Sequence, residues 1–181
     1  MVFAHDTEVA LGTAAALVNT ADGGREALSD VGALAEFLRA YRMTGRHDST
    51  ESELRAVREL RHRLRRIWDE DEDGVVEIVN RLLRESKALP QLVRHDHEPY
   101  HLHATSPEAP LAVRLAVEAA MAFIDVVRTG ELGRLRTCEY PGCGNVVVDL
   151  SKNRSKRFCE AGCGNRAAVT AYRARKAATQ T

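Results

Sequence analysis

Apolar residues recur at helical spacing through most of the first 130 residues of this 181-residue chain. Sets at positions i, i+3, i+4 and i+7, such as Val31, Leu34, Ala35 and Leu38, form one face of an amphipathic helix. The pattern therefore predicts a mainly α fold. Five helices are expected, at 7–21, from a cap at Ser29 or Asp30 to Gly45, from Thr50 to Trp68, from Asp73 to Pro90, and at 107–129.

Capping residues predict where three of these helices begin. Thr50 and Glu53 form the pair of a capping box, in which each side chain accepts from backbone N–H groups of the first turn. Asp73 can cap the fourth helix in the same way. Ser106-Pro107 places a capping hydroxyl before a proline at the first helical position, which indicates the start of the fifth helix.

The fifth helix is almost wholly apolar. Its four charged residues lie within about 80° of one another at 100° per residue; they are Arg114, Glu118, Asp125 and Arg128. A helix with so narrow a polar stripe is buried on nearly all sides. We therefore expect it to be the central helix of the N-terminal domain.

Between Gln91 and Ala104 the periodicity changes from helical to alternating, which predicts a short β-hairpin. Four histidines fall in it, at His95, His97, His101 and His103. Alternation puts His95 with His97 on one face and His101 with His103 on one face. The four residues could form a metal site, but solvated hairpin histidines are the favoured interpretation.

Charge divides the chain into two parts. Residues 134–181 hold ten Lys/Arg and three acidic residues, which leaves sixteen basic and twenty-three acidic residues in 1–133. The formal net charge of zero therefore hides a tail of +7 and a body of −7. Gly130 and Gly133 mark the boundary between the domains 1–133 and 134–181. A basic tail favours contact with a polyanion such as nucleic acid; docking of the tail on its own acidic body is the alternative.

All four cysteines lie in the tail, at Cys138, Cys143, Cys159 and Cys163, with the spacing C-x4-C-x15-C-x3-C. Four thiolates can enclose one zinc ion in a tetrahedron with no open position, so the predicted zinc is structural and not catalytic. Free or disulfide-bonded cysteines are the less favoured alternative. Clustered cysteines of this kind are typical of metal binding in a reducing compartment, and we expect a cytoplasmic protein.

The segments between the cysteines predict a small treble-clef-like fold. Val146–Val148 is a strand candidate, Ser151–Ser155 a turn, and Lys156–Cys159 a returning strand. A helix is expected to begin at Cys163, so that its N-terminus faces the negatively charged metal cluster.

Other function classes find little support in the sequence. No stretch of about 18 apolar residues lacks charge, so no membrane span is predicted. No nucleophile motif or phosphate-binding loop is present, and we expect no enzymatic activity. Asn19 and Thr20, late in the first helix, could line a ligand pocket or could end that helix.

The sequence Cys163-Gly164-Asn165-Arg166, with Asp149–Cys159 upstream, resembles the CGNR zinc finger. That bacterial module stands C-terminal to a helical ABATE domain in stress-induced transcription regulators, and Leu17-Val18-Asn19-Thr20 resembles the first-helix motif of the ABATE domain. Phe158 stands where the family usually has Trp, and the second cysteine pair is one residue closer than usual.

The resemblance implies a transcription regulator that binds DNA through the finger. The candidate DNA contacts are the basic residues of the turn and the last helix: Lys152, Arg154, Lys156, Arg157, Arg166, Arg173 and Lys176. Arg166, next to the metal, could instead brace the module. A zinc-stabilised protein-interaction module is the alternative function, and it would bury several of these residues. A small-molecule effector and a homodimer stay open.

Overall fold

The computed structural model describes residues 2–94 and 100–178, in which six α-helices hold most of the chain. The helices are α1 His5–Val18, α2 Val31–Ala40, α3 Glu51–Arg65, α4 Glu72–Glu85, α5 Leu111–Arg128 and α6 Cys163–Ala178. The strands are β1 Ala21–Asp22, β2 Arg25–Glu26, β3 Gln91–Val93, β4 His101–His103, β5 Leu135–Thr137 and β6 Val146–Val148. Consecutive strands pair antiparallel, as three two-stranded hairpins. The predicted mainly helical fold is confirmed.

Side-chain caps fix the starts of α2 and α3 as predicted. The Asp30 carboxylate accepts from the Ala33 N–H at 2.8 Å, and Thr50 Oγ1 accepts from the Glu53 N–H at 3.2 Å. The Glu53 carboxylate in turn accepts from the Ser49 N–H at 2.9 Å. These bonds satisfy N–H groups that have no partner inside the first helical turn.

Several predicted helix boundaries are wrong. Helix α4 is capped by Asp71, whose carboxylate accepts from the Gly74 N–H at 3.0 Å, and not by Asp73. Helix α5 begins after Pro110, one turn later than Ser106-Pro107 suggested. Helix α1 ends at Val18 and not at residue 21, because β1 and β2 pair across a turn in which Gly23 and Gly24 have φ of 54° and 87°.

Helix α5 lies at the centre of the N-terminal domain, packed against α1, α3 and α4. Phe123 is fully buried and meets the Trp68 ring edge-on, with the ring centroids 5.4 Å apart. The predicted central position of this helix is confirmed. Within the two described ranges, no helix is long and apolar enough to cross a membrane.

Arg114 of α5 is buried and closes the loop between α2 and α3. Its guanidinium donates to the carbonyls of Thr44, Arg46 and Ala109, the last at 3.1 Å. A side chain at Gly45 would lie 2.7 Å from that guanidinium, and Gly45 has φ of 84°. The glycine is therefore required by this close approach and does not end α2, which stops at Ala40.

Strand β6 packs into the core of the helical domain. Val146 and Val148 are buried in the core cluster of the helical domain, where β6 contacts α1, whereas Val147 packs with the cysteines on the opposite face. Successive strand residues point to opposite faces, so one three-residue strand serves both cores. The two parts of the chain thus share packing across the predicted boundary at residue 133.

Glu118 of α5 provides a test of the packing inside the helical domain. It lines a small cavity with Thr13 and Leu64, and burial raises its pKa although Arg114 opposes the shift. In the unfolded chain a glutamate carboxyl has a pKa of about 4.3. Because the pKa of Glu118 is raised in the native state, the free energy of unfolding falls as the pH rises from that value to the raised pKa. Glu118→Gln removes this penalty, and we expect a higher melting temperature at pH 7.

The gain should shrink towards zero below about pH 4, where the carboxyl is protonated in both states. Glu59→Gln on the exposed face of α3 is the matched control and should leave the melting temperature nearly unchanged at both pH values. Thermal unfolding followed by circular dichroism measures the difference. An equal gain at pH 4 and pH 7 would show that ionisation of Glu118 is not its source.

Candidate metal centre and basic surface

The four cysteine sulfurs converge on one point. All four lie within 4.8 Å of one another, with Cys159 Sγ at 3.8 Å from Cys143 Sγ and 3.5 Å from Cys163 Sγ. A tetrahedral ion with metal–sulfur bonds of about 2.3 Å separates its sulfurs by about 3.8 Å. The cluster therefore has the size and donor set of a four-thiolate metal centre.

A tight turn positions the first cysteine pair. Cys138 follows β5, and its N–H donates to the Asn145 carbonyl at 2.8 Å, which closes the loop. The Cys143 N–H donates to the Tyr140 carbonyl at 3.0 Å, with Gly142 at φ of 77°. Both sulfurs of the pair therefore face the same side of the turn.

The second pair joins a loop to a helix. Cys163 is the first residue of α6 and fully buried, after Gly162 at φ of 76°. The Cys159 N–H donates to Cys138 Sγ at 3.4 Å, which links the two pairs directly. The positive end of the α6 dipole thus faces the cluster, as the position of Cys163 predicted.

The strand pairing predicted for this module is wrong in one respect. Val146–Val148 is a strand, but its partner is β5, which precedes the first cysteine. The segment Lys156–Cys159 is not a strand; it is tied to the first turn by the Glu139 N–H donating to the Arg157 carbonyl at 2.9 Å. The hairpin therefore closes around the first cysteine pair and not around the basic turn.

Burial and crowding shift the pKa values of two of the cysteine thiols in opposite directions. Burial raises the pKa of Cys143 to about 12, with the neighbouring cysteines adding to the shift. For Cys159, burial opposes ionisation, but hydrogen bonds from the Asn145 side chain and the Ala161 N–H bring its pKa down to about 7. Four thiolates at this spacing would repel one another, and a metal ion bound among them would offset that repulsion.

Arg166 and Asn145 surround the cysteines. The Arg166 guanidinium donates to Cys163 Sγ at 2.8 Å and lies 4.8 Å from the centre of the Tyr140 ring. The Asn145 amide lies 3.5 Å from Cys159 Sγ and 3.5 Å from the Asp22 carboxylate. Arg166 therefore braces the centre, which makes it a poor candidate for reaching a DNA groove.

Asp149 organises the basic turn, and nothing in the sequence pattern singled it out. Its side chain is fully buried and accepts from the N–H groups of Ser151 and Lys156, each at 3.0 Å. Burial works against its ionisation, but these donors hold its pKa below the usual range. Buried Arg134 donates to the carbonyls of Asp149 and Ser151, each at 2.9 Å. The turn is thus held from both sides.

Three of the predicted DNA contacts form ion pairs on the protein surface. Arg154 lies 2.8 Å from Glu131, Lys156 2.7 Å from Glu160, and Arg157 2.6 Å from Glu139. Arg154 and Arg157 nevertheless keep 53% and 61% of their side chains exposed. Exposed pairs of this kind contribute little to stability, so a stronger anion can displace the carboxylates.

Helix α6 extends into solvent beyond its first turn. Every residue from Ala168 to Ala178 is exposed, including Val169 at 48% and Tyr172 at 60%. Arg173 and Lys176 are exposed on the same helix, and Lys152 is exposed in the turn. The predicted basic residues, apart from half-buried Lys156, therefore stand on accessible surface, and Arg166 among them is held by its bond to Cys163 Sγ.

The side chains of Asn19 and Thr20 form hydrogen bonds to other protein atoms, and neither residue borders either of the two pockets that the structure describes. Asn19 donates to the Val146 carbonyl at 2.9 Å and accepts from the Val146 N–H at 2.7 Å, as a neighbouring strand would. Thr20 Oγ1 accepts from the buried Arg61 at 3.0 Å. Trp68 adds a bond from its indole N–H to the Val147 carbonyl at 3.2 Å. These contacts anchor β6 and give no support to a ligand pocket at Asn19 and Thr20.

A surface groove of about 690 Å³ lies elsewhere, beside the β3–β4 hairpin. Its walls come from the hairpin, from the loop after α4 and from the approach to α5, and include Val93, His103, Lys87, Ser106 and Val113. Neither Asn19 nor Thr20 borders it. The periodicity of the sequence could not reveal this groove, because three separate segments form it.

Comparison with known families agrees with this architecture. The profile of the ABATE family, described as "Putative stress-induced transcription regulator", matches residues 12–130, and that of the CGNR zinc finger matches residues 134–176. Because the first match covers well over half of the chain, the protein belongs to the ABATE family. No curated protein matches the chain.

The Asn19 contacts predict a coupling between the two parts of the chain. Asn19→Ala leaves the buried Val146 N–H and carbonyl without their partner, and an unsatisfied buried group costs about 1–3 kcal/mol. We expect the free energy of unfolding, measured by urea denaturation, to fall by about that amount. Asn80→Ala, at an exposed position of α4, is the control and should change it by less than about 0.5 kcal/mol. Equal effects of the two substitutions would contradict the anchoring role.

Proposed function

We propose that the cysteine cluster holds one structural zinc ion, bound by Cys138, Cys143, Cys159 and Cys163. The tetrahedral sulfur spacing and the match to the CGNR zinc finger support this assignment. Four protein ligands leave no position for water or substrate, so the ion stabilises the fold and carries out no chemistry. We accordingly propose that the protein is not an enzyme and functions in the cytoplasm, where thiols stay reduced.

We propose further that the protein is a transcription regulator that binds DNA through its C-terminal domain. The observation that carries the proposal is helix α6, exposed from Ala168 to Ala178, together with an exposed basic turn. An α-helix fits the major groove of B-DNA, and Arg173 or Lys176 on it can reach phosphates or base edges. Lys152, Arg154 and Arg157 supply phosphate contacts that are independent of sequence.

The surface ion pairs fit this proposal. Glu131, Glu139 and Glu160 neutralise three of the basic side chains in the free protein. A DNA phosphate can take the place of each carboxylate, and release of counterions from DNA favours the exchange. The buried Asp149–Arg134 network holds the turn in shape during that exchange, because the bonds of Asp149 to the Ser151 and Lys156 N–H groups and of Arg134 to the Asp149 and Ser151 carbonyls involve no group that a phosphate would replace.

Exposed apolar residues of α6 favour a second candidate function. Val169 and Tyr172 lie on the face next to Arg173 and are large enough to anchor a protein partner. A zinc-stabilised interaction module would use that face. Two further proposals accompany this function. The helical domain senses a small-molecule effector, and the chain forms a homodimer.

Zinc content provides the first test. Freshly purified, reduced protein should contain one zinc per chain by elemental analysis. Cys159→Ser and Cys163→Ser should each lose most of it, and the circular dichroism signal of α6 should fall while α1 to α5 stay helical. A 48-residue tail with so few large apolar groups does not fold without its metal. Metal-free parent protein with a native spectrum would contradict the zinc assignment.

DNA binding should show the salt dependence of phosphate contacts. If about four cations replace counterions, log affinity of the zinc-loaded chain for duplex DNA falls against log salt with a slope near −3.6. The double variant Arg154→Ala/Arg157→Ala should flatten that slope by up to about two units and retain zinc.

The control for this titration removes the same charge from the helical domain. Arg39→Ala/Arg84→Ala changes two exposed arginines of α2 and α4 and should leave the slope unaltered. Zinc-loaded parent that binds no duplex at low salt would exclude the DNA proposal and favour the protein-interaction function. Equal loss of slope in both double variants would show that the basic turn is not the binding surface.

A further inference from the structure

Two histidines of β4 point their ring nitrogens at each other. His101 and His103 lie on the same face of the strand, opposite Val93 and Gln91 of β3. Their Nε2 atoms are 3.0 Å apart, their ring centroids are 4.9 Å apart, and both side chains are half-buried. His95 and His97, the other histidines of the predicted hairpin, lie outside the described residues.

This separation restricts what can lie between the rings. At most one of the two Nε2 atoms can carry a hydrogen directed at the other, so at least one lone pair faces inward. With metal–nitrogen bonds of about 2.0–2.1 Å, two ligands at a right angle lie about 3 Å apart, and two at the tetrahedral angle about 3.3 Å. The observed 3.0 Å is the length of a hydrogen bond between the two rings, and it also matches adjacent corners of a square-planar or tetragonal complex.

The groove beside His103 suits a metal site. His103 borders the 690 Å³ groove, which has room for water or a small ligand to complete the coordination. The β3–β4 ladder holds both imidazoles on one short strand, so little conformational freedom is lost when they bind an ion together. Nitrogen donors in tetragonal geometry are typical of Ni²⁺ and Cu²⁺, whereas the thiolate cluster of the tail suits zinc.

We propose that His101 and His103 form a chelating pair for a divalent first-row transition-metal ion of tetragonal preference, Ni²⁺ or Cu²⁺. The site lies in the helical domain at the edge of the groove, and it is distinct from the cysteine centre. It does not depend on DNA binding by the tail. The two imidazoles are adjacent ligands, and His103 places the pair at the border of the groove.

Calorimetric titration of the full, zinc-loaded chain with Ni²⁺ tests the proposal. Ni²⁺ is the probe because Cu²⁺ oxidises thiolates, and elemental analysis after the titration confirms that zinc is retained. The parent should bind one Ni²⁺ per chain. His101→Gln and His103→Gln should each weaken binding at least about tenfold, since a chelate needs both rings. His62→Gln, on the exposed face of α3, is the matched control and should bind like the parent.

The melting temperature of each variant shows whether it is folded, and either of the two β4 variants that folds suffices as a test. Parent protein that retains its zinc and binds no Ni²⁺ would overturn the proposal. So would Ni²⁺ binding that a folded His101→Gln or His103→Gln variant keeps at parental affinity. Weakening by His62→Gln to the same degree would also overturn it, because the binding would then not be specific to the pair.

Discussion

The alternation of side chains along β6 joins the metal centre to the helical domain. Val147 packs with the cysteines, while Val146 and Val148 enter the core built around α5. The register of β6 is fixed because its two faces pack against different cores. A shift of one residue would place Val147 in the helical core and Val146 and Val148 against the cysteine cluster. The position of every other part of the C-terminal module follows from this strand.

Polar contacts reinforce the same strand from the helical side. Asn19 binds both backbone groups of Val146, and Trp68 donates to the Val147 carbonyl. The Asn145 amide then connects Asp22 to the metal ligand Cys159. Changes at the cysteine cluster and changes in the helical domain can therefore affect each other through a short chain of contacts.

The module presents one surface and hides another. Its β-hairpin and buried Asp149 face inward, whereas the basic turn and α6 face solvent. Docking of the tail on its own body does occur, but it uses the valines of β6 and leaves most of the basic side chains accessible. The charge asymmetry of the chain is thus retained on the surface, where Glu131, Glu139 and Glu160 partly offset it.

The sequence by itself determined the features that depend on residues close together in the chain or on metal-ligand chemistry. Amphipathic spacing, the Asp30 and Thr50 caps and the narrow polar stripe of α5 predicted the helical domain, and cysteine spacing predicted the four residues that cluster. Each of these depends on residues a few positions apart, or on ligand chemistry that tolerates few alternatives.

Only the tertiary structure decided which residues from distant segments of the chain contact one another. The partner of β6 lies before the first cysteine, and Asn19 bonds to a residue 127 positions away. Arg166 points at a cysteine sulfur, Asp149 lies beneath the basic turn, and His101 meets His103 at the wall of a groove made by three segments. Periodicity assigns a residue to a face, but the packing of distant elements determines what that face contacts.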